Sequence, residues 1–225
     1  MTKRITFKGT DGSSLEGELA LPLAGSKAPG VVVIQEWWGL NDHLRSMVDR
    51  FADAGFLAFA PDLYHGELPG RVDEASKLMT LLDKEKAVGE IGAAATFLES
   101  HERSNGRVAV VGFCLGGALA FASALHAPFI SAVIPFYGLP QIRPDAFAGV
   151  KVPILAHFAK HDDWATAAGA SEIQKVIEAG GGSMELHVYD AKHAFMRDTD
   201  PALYDAPSAK LAWARTLAFL ETHLR

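Results

Sequence analysis

Apolar positions along this chain follow strand-like and helix-like rhythms that alternate over nearly its whole length. Residues 3–9 and 15–21 read as two strands joined around Thr10-Asp11-Gly12-Ser13, a hairpin signal. Val31-Val32-Val33-Ile34 is apolar throughout, as a strand covered on both faces of a sheet should be. Asn41 or Asp42 can cap the helix that follows. Its apolar residues Leu44, Met47, Val48, Phe51 and Ala52 share one face, and Gly55 ends it. The next strand covers 56–61, and residues 72–100 are helical in two pieces with a break near Asp83.

The second half continues the alternation. Arg107-Val108-Ala109-Val110-Val111 is of strand type, and a helix runs from about 115 to His126. Strands are expected over 130–136, 153–158 and 184–189. Helices are expected over 167–179, stopped by Gly180-Gly181-Gly182, and over about 208–224. That order implies an α/β fold: about eight strands in a mostly parallel sheet, joined by right-handed crossovers and flanked by helices on both faces. With 225 residues and no linker, repeat or low-complexity stretch, the expectation is one domain over 1–225.

Composition narrows the classes. Hydrophobic residues make up 49% of the chain, enough for a substantial core. The single cysteine excludes an internal disulfide and any multi-cysteine metal site. The first residues carry no apolar signal segment, and no apolar run approaches the roughly 20 residues that span a bilayer. A cytoplasmic protein without a membrane partner is therefore expected. A net charge of −6 with no basic stretch argues against a nucleic-acid partner. An anionic small substrate stays possible, because local arginines can outweigh the global sign.

The one cysteine lies in Gly112-Phe113-Cys114-Leu115-Gly116-Gly117, between the strand-type run and the helix. Glycines on both sides suit a sharp strand-to-helix turn that exposes the central side chain, the nucleophile elbow of an α/β-hydrolase with cysteine in the usual serine position. The helix that begins there aims unpaired N–H groups and the positive end of its dipole at the sulfur. An elbow nucleophile needs a histidine base and an orienting acid, which follow it in chain order acid, then histidine. Asp162 lies just after the strand at 153–158, and His193 just after the strand at 184–189, both at strand carboxyl ends where open α/β sheets gather their sites. Asp163 competes with Asp162 for the acid role. His157, His161, Asp162 and Asp163 also suggest a metal site. However, the histidine pair would need a helix to face one ion, and His157 falls at a strand end, so no metal is expected.

Glu36 lies in the loop after the third strand, where part of an oxyanion hole is usually built. The backbone N–H of Trp37 would join that of Leu115 around a developing oxyanion. A carboxylate that close repels a thiolate and keeps the thiol protonated, so the nucleophile would stay quiet until substrate rearranges the charges.

Five stretches carry a resemblance to the dienelactone hydrolase family: Gln35-Glu36-Trp37-Trp38-Gly39-Leu40-Asn41, Pro61-Asp62-Leu63-Tyr64, the Cys114 hexapeptide, the Asp162 loop and Ala191-Lys192-His193-Ala194-Phe195. The resemblance implies an α/β-hydrolase with a Cys114-His193-Asp162 triad and Glu36 restraining the thiol. It implies opening of a small anionic enol-lactone through a thiol-bound acyl intermediate, with no cofactor. The substrate carboxylate would be held by Arg197 and, in the segment before the long helix, by Arg71. Tyr137 would line the pocket, while Trp37-Trp38 and Met79 would give it a shape of its own. Another activated ester or thioester would suit the same mechanism. A non-catalytic scaffold with a redox-sensing Cys114 would need no aspartate-oriented histidine. The expected assembly is a monomer or weak homodimer.

Overall fold

The hairpin signal becomes β1 (Lys3–Lys8) and β2 (Ser14–Ala20), paired antiparallel with Phe7 opposite Leu15. The computed structural model describes residues 1–23, 27–126 and 130–225. The further strands are β3 (Ala28–Ile34), β4 (Leu57–Pro61), β5 (Ser104–Phe113), β6 (Ala132–Phe136), β7 (Ile154–His161) and β8 (Met184–Lys192). All eight join one sheet in the order β1-β2-β4-β3-β5-β6-β7-β8, antiparallel at the first two pairings and parallel from β4 onward.

Among the described residues six α-helices cover the faces: α1 (Asp42–Asp53), α2 (Val72–Leu81), α3 (Lys84–Ser100), α4 (Leu115–Ser123), α5 (Ala167–Ala179) and α6 (Ala206–Leu224). Because strand side chains alternate, Val32 and Ile34 of β3 face the core covered by α3 and α4, which continues to α5 farther along the sheet and includes Ile91, Leu98, Leu119 and Ile173. Val31 and Val33 face the opposite core, covered near β3 by α1 and farther along the sheet by α6, with Met47, Phe51, Phe219 and Leu220 among its residues. The fully apolar Val31–Ile34 run is thus the mark of a strand between two cores. Asn41 caps α1, its side chain accepting the Leu44 N–H at 3.0 Å. Asp83 caps α3 in the same way, which is the break expected between the two helical pieces.

Several boundaries differ from the sequence reading. β7 runs on to His161 and β8 to Lys192, because the two strands keep pairing through His161 and Lys192 although their ends are charged. His157 therefore lies inside β7 rather than at its end. The α4 segment tightens into a 3-10 turn over Ala124–His126. α6 starts at Ala206, with the Asp205 side chain accepting the Ser208 N–H and Pro207 in the first turn.

The chain leaves β3 for α1 on one face and leaves β5 for α4 on the other. The carboxyl ends of these adjacent strands therefore open a crevice, where sheets of this kind bind ligands.

Candidate active site

Cys114 sits at the tip of β5 with φ 53° and ψ −114°, a conformation disfavoured for a side-chain-bearing residue. The neighbouring glycines make the turn possible by close approach. A Cβ on Gly112 would run into the Gly116 carbonyl, and one on Gly116 would press on the Ile34 and Gln35 carbonyls. Leu115 is the first residue of α4, so its N–H has no intrahelical acceptor.

The loops after β7 and β8 meet above this tip. His193 Nε2 lies 3.1 Å from Cys114 Sγ, and His193 Nδ1 lies 2.6 Å from Asp162 Oδ2. Asp162 is buried, and its Oδ1 accepts the Trp164 and Ala165 N–H groups at 2.9 and 3.0 Å. Asp163 is exposed at the cavity, and it is Asp162 that bonds His193. Burial works against the Asp162 charge, but the hydrogen bonds from His193 and the two backbone groups outweigh it and hold the carboxyl below its ordinary value. Burial also opposes protonation of His193. Its contacts with Asp162 and Cys114 prevail and push the imidazole up to about 10.

Glu36 is buried in the same crevice, and burial raises its carboxyl against the opposing pull of His43, Arg197 and His193. The buried hydroxyl of Tyr137 lies close enough to Glu36 to ease its charge, and the Met196 N–H faces that hydroxyl. Tyr137 packs beneath the imidazole, ring centroids 5.2 Å apart. It is itself in the left-handed region at φ 35°, its N–H donating to the His157 carbonyl at 2.7 Å.

A cavity of about 430 Å³ opens over these groups, with Glu36, Trp37, Trp38, Cys114, Trp164, His193 and Arg197 in its wall. The Arg197 guanidinium lies over the Trp38 ring, 5.0 Å from its centroid. Arg71 is not part of this wall. It precedes the first turn of α2, where Asp73 and Glu74 draw its exposed guanidinium into ion pairs at 2.9 and 3.3 Å. Met79 packs against the core beside α3 instead of facing the cavity.

His157 is a core residue. Its ring nitrogens lie 2.8 Å from the Tyr189 hydroxyl and 3.1 Å from Thr216 Oγ1, and burial pushes its pKa well below the ordinary value.

Three neighbours of the site went unassigned in the sequence reading. Tyr64 donates its hydroxyl to the Trp37 carbonyl at 3.2 Å and lies near enough to feel the charge of Cys114. Trp164 borders His193, and buried His43 holds Asp198 at 3.2 Å beside Arg197. Tyr64 and Trp164 both lie within segments already singled out, but a ring reveals its target only once the loops are folded.

An eight-stranded, mostly parallel sheet wrapped by helices, with a strained cysteine at a strand-to-helix turn and a histidine above it, defines an α/β-hydrolase. The profile of the dienelactone hydrolase family matches residues 15–224, and the chain belongs to that family of hydrolases. It is 38% identical over 235 aligned residues to Protein usf of Aquifex pyrophilus, covering 100% of both chains. It is 33% identical over 233 residues to carboxymethylenebutenolidase of Pseudomonas putida, covering 98% of this chain and 96% of that protein. In fold it matches a dienelactone hydrolase-like promiscuous phosphotriesterase from metagenomic libraries with a TM-score of 0.85, at 23% identity and covering 100% and 99% of the two chains. Among the described residues no helix is long and apolar enough to cross a membrane.

Proposed function

We propose that this protein hydrolyses a small anionic enol-lactone, with Cys114 as nucleophile, His193 as acid and base, and Asp162 as the group that orients and charges the histidine. The observation that carries the reading is the unbroken contact chain from Sγ through the imidazole to a buried carboxylate, at 3.1 and 2.6 Å. A histidine pushed up to about 10 favours the imidazolium, the partner a thiolate needs.

In the first step the thiolate attacks the lactone carbonyl carbon, and the carbonyl electrons move to its oxygen. The N–H groups of Leu115 and Trp37 are the donors we assign to that oxyanion. Collapse breaks the ring C–O bond, leaving the acyl group on sulfur. The departing enolate takes the proton from His193. Water then gives a proton to His193 and attacks the thioester, and the sulfur leaves as thiolate from a diacid product.

Glu36 shares the cavity with Cys114, and any negative charge it carries disfavours a second one on sulfur. Here Sγ faces His193, the orientation ready for attack, so Glu36 acts on the charge of the thiol rather than by turning it away. Of the cationic side chains that line the cavity, Arg197 is the one we assign to the substrate carboxylate.

The test is a hydrolysis screen over dienelactone, neutral esters and thioesters, with Cys114→Ala as the blank. Turnover of the carboxylated lactone that vanishes in the blank is the expected result. Turnover unchanged in Cys114→Ala overturns the reading.

A further inference from the structure

The Trp164 indole stands 74% exposed at the mouth of the cavity, although its backbone alone serves Asp162. A residue of any type could supply that N–H, so the turn does not explain the ring. Its ring neighbours are Trp37, at 6.2 Å between centroids, and His193, at 5.8 Å. Trp37 in turn meets Trp38 at 5.4 Å, and Trp38 carries the Arg197 guanidinium. One wall of the cavity is therefore a continuous aromatic surface, with a cation at one end and the exposed indole at the other. Large apolar groups gathered at the rim of a cleft mark a place where apolar surface is buried on binding.

The chemistry fixes which part of a substrate meets each end. The leaving oxygen takes its proton from His193, so the leaving group must lie on the imidazole side, and Trp164 is the ring of the cavity wall on that side. The acyl part, with any carboxylate, lies toward Arg197 and Trp38. We infer that Trp37 and Trp164 form an aromatic subsite for the leaving group, and that the substrate class extends to aryl esters of carboxylate-bearing acids. The inference rests on the cysteine-hydrolase reading of Cys114. Phenolate, like an enolate, is a stabilised oxyanion. The thiolate attacks the ester carbon, the aryl C(=O)–O bond breaks, phenol departs with the His193 proton, and water releases the diacid from the thioester as before.

The test compares two monoesters of fumaric acid, the phenyl ester and the hexafluoroisopropyl ester, whose alcohol is close to phenol in acidity but has no ring. Trp164→Ala should lower kcat/KM for the phenyl ester about tenfold more than for the fluoroalkyl ester, mainly through KM, as loss of an aromatic contact and its buried area requires. Trp164→Phe should restore most of the phenyl-ester rate. Equal losses on the two esters, or no rescue by phenylalanine, overturn the subsite. Calorimetric titration with phenol separates this failure from that of the underlying chemistry. A wild-type protein that opens dienelactone but turns over neither ester overturns the extension to aryl esters, and one that opens no dienelactone either, yet binds phenol only while Trp164 is present, overturns the cysteine-hydrolase reading and upholds the ring site. Turnover of both esters with phenol binding indifferent to Trp164 overturns the subsite alone.

Discussion

Asp162 divides its two oxygens between two tasks: Oδ1 is taken up by the backbone of its own loop, and Oδ2 faces His193 Nδ1 at 2.6 Å. The carboxylate is thereby locked in place before it orients the imidazole. Asp162→Asn should lower kcat about 10³-fold or more, since an amide can set the wrong tautomer and cannot stabilise the imidazolium. Asp163→Asn should leave kcat within a few-fold. Steady-state kinetics on the two variants decide the assignment, and the reverse order of damage would transfer the role to Asp163.

The elevated histidine makes stability depend on pH. Its ordinary value is 6.5 and its folded value about 10, so protonation favours the folded state. That contribution is complete below about pH 6.5 and is lost as the pH rises to about 10. The Tm difference between the wild type and His193→Asn should therefore narrow over this interval. A constant difference across it would mean that the imidazole is not held protonated by its neighbours.

Removing Glu36 should free the thiol. With the carboxylate gone, Glu36→Ala should be alkylated by iodoacetamide several-fold faster than the wild type at neutral pH, in the absence of substrate. Equal rates would remove the restraining role from Glu36.

Arg197 lies over Trp38, with a long contact of 3.5 Å from Nε to the Thr199 hydroxyl. Arg197→Ala should raise KM for a carboxylated lactone about tenfold, the scale of one charged hydrogen bond, and change KM for a neutral ester far less. Similar effects on both substrates would place the guanidinium outside the binding step.

The elements around the site were legible because local rules and tertiary demands agree there. Asn41 caps where a cap residue was expected, Asp83 divides the long helical stretch, and the glycines around Cys114 are needed for the crossing they mark. The strand ends were not legible: Lys160, His161, Asp190 and Lys192 look like loop residues, and only pairing between β7 and β8 makes them strand. Arg71 illustrates another limit. Sequence places it in the right segment, but Asp73 and Glu74 capture its charge at the surface. Which of two adjacent aspartates turns inward is likewise decided by the turn, through the Trp164 and Ala165 amides that bind Oδ1 of Asp162.

The backbone of Cys114, at φ 53° and ψ −114°, sets durability against reactivity at a single residue. A side chain held there costs about 1–3 kcal/mol, and glycine would relieve most of it. Cys114→Gly should accordingly melt at a higher temperature than the wild type while losing all turnover. Laboratory evolution for heat resistance alone would then be free to discard the proposed nucleophile, whereas selection that also demands turnover must gain its stability elsewhere in the molecule.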